Sequence, residues 1–565
     1  MGFAKLQNLK ECVKNTRIYD VYSNHSIDEN IVYLESRNGN DFTGNIFRIA
    51  EELSTGKYGD FKIYAYAKSE IKSKIENLKG NYDLKIHKII TDENKACEIL
   101  EKAKYIFTDS AIQSKFIKKD GQIMTNTWHG TPLKLMGFDN LSEQHNIGII
   151  QKSLLYSDYL LYPNIYTSKK MLEAYMVDKI YPGKILFNGY PRNEVFFDKN
   201  RREEIRKKLD IENKDVFVYM PTFKGEVDNR KDEKQRIEVN RFLEKIDSNL
   251  NDNQILFVKF HPYNQSKIDF SGFENIKAFP NNFENYDVLN ACDCLITDYS
   301  SVFFDFANTK RKIILFNYDE EEYLADRGLY LALEDLPFPK AGTIDELISE
   351  MNLDINYDDS EFLDEFCTLS SINSAEDICA TVIGGENKCK FEIIENSNRN
   401  ILIYADGLED NQSTESLIRS LERADKVNNN IFISFKSWHS NIKENHAETL
   451  KRIPDDIQFL PLSYNITPTV KEKMKLNKFL KNTADTEIYN SIKPLFEKSF
   501  KKQYGNIKFD LVIDYNTTDP SESLIFANSN SKSVMIITDK SNKDIYNKFD
   551  KIYKIDEISL EKLVN

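Results

Sequence analysis

From residue 31 onward one pattern repeats: a short run of β-branched and aromatic residues, then a longer stretch of helical period. Strands recurring at that spacing must be joined by helical crossovers, so the pattern predicts parallel βα units with helices on both faces of each sheet. Runs at 31–35, 61–67, 84–90, 105–109, 122–128, 159–163 and 184–188 form a first series. The charged segment 198–215 separates them from a second, at 216–222, 255–261, 294–298 and 312–317. Past IGGENKCK at 383–390, which reads as a linker, a third series falls at 400–404, 431–435, 457–460, 509–514 and 533–538. The expected fold class is α/β: an N-terminal arm over 1–30, two doubly wound Rossmann-type domains over 31–195 and 196–383, and an additional α/β domain over 384–565. At 565 residues the chain is long enough for each domain to bury a core of its own.

Acidic side chains number 90 against 76 basic ones, a formal net charge of -14. That balance excludes binding along a nucleic-acid backbone as the main activity. No stretch approaches the roughly 18 apolar residues of a spanning helix, and the N-terminus lacks a signal-peptide run, which predicts a cytoplasmic protein. The seven cysteines, irregularly spaced, predict reduced and mostly buried thiols. Cys292-x-Cys294 has no second pair at zinc-ligand spacing.

In open α/β sheets ligands bind beyond the carboxyl ends of the strands, so polar residues just after an apolar run are the places to look. The first is TWHGTPLK at 127–134, where His129 at a strand tip titrates near neutrality and can take a proton from a hydroxyl. Its plainer reading is a histidine bonded to its own turn. The second is KFHP at 259–262, with His261 in the equivalent place of the second domain. In TDYSSVFFDF at 297–306 a strand is followed by two hydroxyls and an apolar helix, so Ser300 or Ser301 at the cap is either an anion site suited to a diphosphate or an ordinary N-cap. GYPRN at 189–193 and YMPTFK at 219–224 lie where the first domain hands over to the second; Arg192 and Lys224 there pair phosphates or serve as solvated interface charges. P-loop, G-x-G-x-x-G, G-x-S-x-G and H-E-x-x-H patterns are missing, as is a clear acidic metal triad, which sets aside P-loop kinases, dinucleotide dehydrogenases, serine hydrolases and zincins.

Taken in order, WHGTPLK at 128–134, GYPRNE at 189–194, YMPTFKG at 219–225, HPYN at 261–264, TDYSSVFFDFA at 297–307 and YLADRGLY at 323–330 resemble the CDP-glycerol glycerophosphotransferase family of teichoic-acid primases, polymerases and related capsule polymerases. The resemblance implies a GT-B-like pair of domains, an acceptor-side first and a CDP-polyol-binding second, with the active cleft between them. It also implies a reaction: a hydroxyl of the growing polymer attacks the phosphorus next to the polyol in CDP-glycerol or CDP-ribitol, and CMP leaves. By matching position His129 looks like the general base and His261 like a diphosphate ligand, the two catalytic residues. Thr131, Lys134, Arg192, Thr222, Lys224, Asp298, Ser300, Ser301, Asp305 and Arg327 make up the substrate-binding set, with the two serines as phosphate cap. No metal-ligating residue and no cofactor is firmly implied, although a divalent cation accompanying the diphosphate is compatible with this chemistry.

Such an acceptor is normally lipid-linked, so the resemblance further implies a peripheral protein on the cytoplasmic face of the cell membrane. TVKEKMKLNKFLKN at 469–482 sets Lys side chains among Val470, Met474, Leu476, Phe479 and Leu480, and reads as an interfacial helix or a solvated surface helix. Phe3, Leu6, Leu9 and Val13 with Lys5, Lys10 and Lys14 form a second such stretch. Residues 384–565 carry none of the motifs and look like one half of a glycosyltransferase, expected to be either an accessory domain or part of a chain cut from a longer protein. A chain ending near Ile383 is therefore expected to fold and keep the chemistry. Two other functions compete: a GT-B glycosyltransferase using a nucleotide sugar, and a binding or scaffold module of a polymer-assembly complex.

Overall fold

The structure, a computed structural model, describes residues 2–222, 231–260, 268–406, 408, 411–436, 444–537, 545, 547–554 and 560–564. Strands β1 (Asp28–Glu35), β2 (Lys62–Tyr66), β3 (Ile86–Ile90), β4 (Ala103–Thr108), β5 (Ile123–Asn126), β6 (Tyr159–Tyr162) and β7 (Lys184–Phe187) pair in parallel in the order β7-β6-β5-β4-β1-β2-β3. A second parallel sheet takes β8 (Asp215–Met220), β9 (Gln254–Val258), β10 (Ile276–Ala278), β11 (Cys294–Thr297), β12 (Lys312–Phe316) and β13 (Lys340–Ala341) in the order β10-β9-β8-β11-β12-β13. The next strand, β14 (Lys390–Ile393), returns to the first sheet and lies antiparallel on β7. Strands β15 (Arg399–Tyr404), β16 (Asn429–Ser434), β17 (Gln458–Phe459), β18 (Leu511–Tyr515), β19 (Lys532–Ile537) and β20 (Lys551–Lys554) form a third, in the order β17-β16-β15-β18-β19-β20.

Covered on both faces, the central strands can be apolar along their whole length, as Val32 to Leu34 of β1 and Ile401 to Tyr404 of β15 are, all without solvent exposure. This is why the runs were readable as strands, their ends displaced by a residue or two. The strands that sequence reasoning missed, β10, β13, β14 and β20, are short or at sheet edges and bury little, so no sustained apolar run marks them. Each sheet winds outward from its first strand and then restarts on the other side of it. That reversal opens a crevice at the carboxyl ends of β1 and β4, of β8 and β11, and of β15 and β18.

The units are not consecutive blocks of chain. Helix Ser374–Val382, expected in the second domain, packs on helix Asn45–Ser54, and its Ile378, Cys379 and Val382 share a buried cluster with Val32, Leu34 and Phe42 of the first. The third unit is likewise no detachable appendage. Its Phe459, Leu460 and Tyr504 belong to one continuous core with Trp128, Leu154, Leu155 and Tyr175 of the first unit. Gln151 Nε2 donates to the Phe459 carbonyl at 2.7 Å and the Tyr156 hydroxyl to the Lys501 and Lys502 carbonyls at 3.0 Å. The expected arm is helix Gly2–Asn24, which lies across this junction against helices Glu93–Leu100 and Val470–Phe479, with Asn15 Nδ2 bonded to the Pro468 carbonyl. A chain ending near Ile383 would lose the part of this core that the third unit contributes.

Helix Val470–Phe479 opens on a capping box between Thr469 and Glu472 and turns Leu476 and Phe479 into that core. Its apolar stripe thus serves packing first; Met474 and Leu480 remain exposed among the lysines. All seven cysteines are buried free thiols. Among the described residues no helix is long and apolar enough to cross a membrane.

Candidate active site

Where β4 and β5 end, side by side, the chain places Asp109 and His129. His129 Nδ1 lies 2.6 Å from the Asp109 carbonyl oxygen, which can only accept, so Nδ1 carries the hydrogen and Nε2 keeps its lone pair. The ring stacks on Trp128 with centroids 4.3 Å apart. Trp128 itself sits in the left-handed region at φ 49°, held there by its N–H to Asn126 Oδ1 (2.9 Å) and by Asn45 Nδ2 on its carbonyl (3.1 Å). Burial pushes the imidazole pKa down to about 3, the charges of Arg37 and Arg192 adding to the effect and the Asp109 bond opposing it. The histidine is neutral, tautomer-fixed and half-buried at the tip of its strand.

Beyond His129 the backbone runs into the second unit. A Cβ on Gly130 would stand 2.7 Å from Ser301 Oγ and 3.7 Å from Arg192 Nη2, so only a glycine lets the strand tip come this near. Arg192, in the first turn of the 3-10 helix Pro191–Phe197, donates to the His129 carbonyl at 2.8 Å. Its other nitrogens grip Asp305, with Nη2 to Oδ2 at 2.8 Å and Nε to Oδ1 at 3.2 Å. Tyr286 donates a further bond to Asp305 at 3.1 Å. Both charged side chains are only 4% exposed, and burial raises the Asp305 pKa above the ordinary carboxylate value, with the Arg192 guanidinium opposing the rise. Arg192 and Asp305, expected as substrate contacts, bond each other in a clasp that fixes the His129 loop against the start of helix Val302–Phe306.

The other expected contacts lie as follows. Thr131 is buried, its hydroxyl accepting from Thr167 at 3.3 Å. Asp298 is buried and takes the Thr222 N–H on both oxygens, at 2.8 and 2.9 Å, closing the turn after β8. Arg327 pairs with Glu143 at 2.8 Å on the seam where Lys134 and Leu329 form a lone antiparallel bridge between units. Lys134 Nζ reaches the Thr222 hydroxyl at 3.3 Å, so these two do lie together on that seam. Ser300 and Ser301 are half-exposed at the crevice between β8 and β11; Ser301 is the N-cap of a helix of only five residues and makes no capping bond with its side chain. His261 and Lys224 lie outside the described residues. Among the described residues no cluster of three or more His, Cys, Asp or Glu could hold a metal ion.

Sequence reasoning missed Asp109, Asn45 and Tyr286, which orient His129 and its clasp. Asp109 had a signal: it closes an apolar run, as His129 does. Behind the site the two units are locked by charge. Arg48 bonds Asp287, Glu51 and Glu284, and Arg201 bonds Asp287 and Glu51. Gly44 N–H adds a bond to Glu284 at 2.8 Å.

The family described as CDP-glycerol:poly(glycerophosphate) glycerophosphotransferase matches residues 17–384. Teichoic acid poly(glycerol phosphate) polymerase of Bacillus spizizenii is 29% identical over 384 residues, covering 63% of this chain and 93% of the relative. Teichoic acid glycerol-phosphate transferase of Staphylococcus aureus is 26% identical over 400 residues, 66% of this chain and 99% of the relative. The poly(glycerol phosphate) polymerase of Bacillus subtilis, 29% identical over 319 residues, is matched over only 40% of its length. In fold, the chain is similar to a wall teichoic acid polymerase, TagF, with a TM-score of 0.55 at 23% identity over 67% of this chain and 96% of that one. This likeness supports the GT-B-like pair of Rossmann-type units.

Proposed function

The chain belongs to the CDP-glycerol:poly(glycerophosphate) glycerophosphotransferase family, and from that premise we propose that it moves a polyol phosphate from CDP-glycerol or CDP-ribitol onto a hydroxyl of a teichoic-acid polymer, releasing CMP. The observation that carries the reading is the imidazole of His129, kept neutral by burial and oriented by the Asp109 carbonyl so that Nε2 is the proton acceptor, at the seam between the two units. Nε2 takes the proton of the acceptor hydroxyl as its oxygen attacks the phosphorus that bears the polyol. The bond from that phosphorus to the bridging oxygen of the diphosphate breaks, and CMP departs with the electron pair. Positioning and charge stabilisation govern phosphoryl transfer, so what the second unit must supply is donors for the diphosphate. We assign that role to Ser300, Ser301 and Thr222 at the crevice of β8 and β11, with Lys134 from the first unit; the bond of Lys134 Nζ to the Thr222 hydroxyl supports this. His261 we assign to the diphosphate by motif alone. Arg192 and Asp305 are positioning residues.

The acceptor we take to be lipid-linked, with the protein on the cytoplasmic membrane face. Supporting this, Leu9 and Val13 of helix Gly2–Asn24 and Met474 and Leu480 by its neighbour are exposed beside lysines.

The test is kinetic. His129→Ala should lower turnover by about 10²- to 10⁴-fold while CDP-glycerol binding stays near that of the unsubstituted protein, because the ring acts on the acceptor. Near-normal turnover would remove His129 from the reaction.

A further inference from the structure

The first sheet ends on β14, and this edge lies past the family match at 384, in the stretch that crosses from the first two units to the third. Its four residues pair with β7 in an unbroken antiparallel register: Lys390 with Phe187, Phe391 with Leu186, Glu392 with Ile185 and Ile393 with Lys184. Among the described residues no other strand pairs with β14, so alternate N–H and C=O groups along it point out of the sheet. All four side chains are exposed, Phe391 at 42% and Ile393 at 56%. Natural edges are blunted by a proline, a bulge or a covering segment. The strand has no proline and its register carries no bulge.

Successive side chains of a strand alternate between its faces. Phe391 shares one face with Leu186, and Lys184 Nζ stands 4.2 Å from the centre of its ring. Lys390 and Glu392 lie on the other face, opposite in charge and two positions apart, and form no ion pair among the described residues. A second copy of this chain fits such an edge. Two identical antiparallel strands are related by a two-fold axis perpendicular to the sheet, which sets one residue opposite its own copy. Centred on Lys390, the register opposes two lysines; centred on Glu392, two glutamates; like charges directly opposite are destabilising. Centred on Phe391, it sets each Lys390 opposite Glu392 of the other copy, and the two Phe391 rings meet on the opposite face.

We propose that β14 is a dimerisation edge: two copies of this chain join their first sheets through antiparallel β14 strands, in the register centred on Phe391. The charges at Lys390 and Glu392 then select one register of the three. Because the same edge is used by both copies, the contact closes on itself and the assembly stops at two. A pairing this short is small beside the roughly 1,600 Å² of a standard interface, so the dimer is weak and concentration-dependent. The inference goes beyond the proposed reaction and does not depend on it.

Sedimentation velocity of the full-length protein, run from micromolar to near-millimolar concentration, reads this equilibrium. The unsubstituted chain should shift from monomer to dimer as concentration rises. Lys390→Glu sets glutamate against glutamate at two symmetric positions, and Glu392→Lys sets lysine against lysine; each should raise the dissociation constant about tenfold or more. The variant carrying both substitutions regains opposite charges in that register and should return to within about threefold of the unsubstituted chain. A protein monomeric at every concentration overturns the proposal. So does a dimer indifferent to either single substitution, which would place the interface elsewhere, and so does a double variant as weak as the single ones. Assemblies larger than two would contradict the closed two-fold arrangement.

Discussion

His129 shows how much one carbonyl can do. With Nδ1 committed to Asp109, protonation can only occur at Nε2, and burial holds that event far below the ordinary histidine range. The folded pKa lies under the unfolded value of about 6.5, so the group's contribution to stability is complete above that pH and is lost as pH falls from there toward about 3. The acid limb of kcat/KM due to this residue should accordingly lie well below pH 6.5; a limb centred at 6.5 to 7 would show that the ring is solvated. The Arg192 and Asp305 clasp predicts a different signature. Asp305→Ala leaves a buried guanidinium unpaired and should cost about 3–5 kcal/mol in denaturant unfolding, whereas a loss under 1 kcal/mol would mean that solvent reaches the pair.

Among the elements, strand tips were the most readable feature, because a parallel strand covered on both faces must stop being apolar where it leaves the sheet, as at His129 and Thr297. What each polar residue then does was not readable. Arg192 and Asp305 lie 113 positions apart, and no local pattern says that they meet, so both read as substrate contacts. The same holds for Asp298, whose partner Thr222 lies in the turn after the neighbouring strand β8. Helix Val470–Phe479 has the composition of a membrane-surface helix, but the demand of a core beneath it decides which way Leu476 and Phe479 face. Gly130, by contrast, is explained only by its closeness to Ser301. Gly130→Ala should displace the Ser301 hydroxyl and lower kcat/KM by about tenfold or more with little change in Tm, since small misplacements at a reacting centre are costly in rate. Activity equal to that of the unsubstituted protein would mean that the approach has no catalytic use.

At the scale of the whole molecule, three sheets each open a crevice at a reversal of strand order, and the first two are clamped together behind the site by Arg48, Arg201, Glu284 and Asp287. The third, beyond the family match at 384, shares the core that supports Trp128. A chain ended near Ile383 should therefore lose solubility or fall sharply in Tm, and Gly148→Ala, whose new Cβ would stand 2.6 Å from the Pro461 carbonyl oxygen, should weaken the junction in the intact chain. A truncated protein as stable as the whole would show that the shared core is dispensable. Most direct of all is to supply the full-length protein with a glycerol-phosphate oligomer and, separately, CDP-glycerol, CDP-ribitol and UDP-sugars, and to identify the nucleotide released. CMP, appearing with one added polyol phosphate per turnover and only from a CDP-polyol, is the expected result; UDP from a nucleotide sugar, with no CMP from either CDP-polyol, would contradict it.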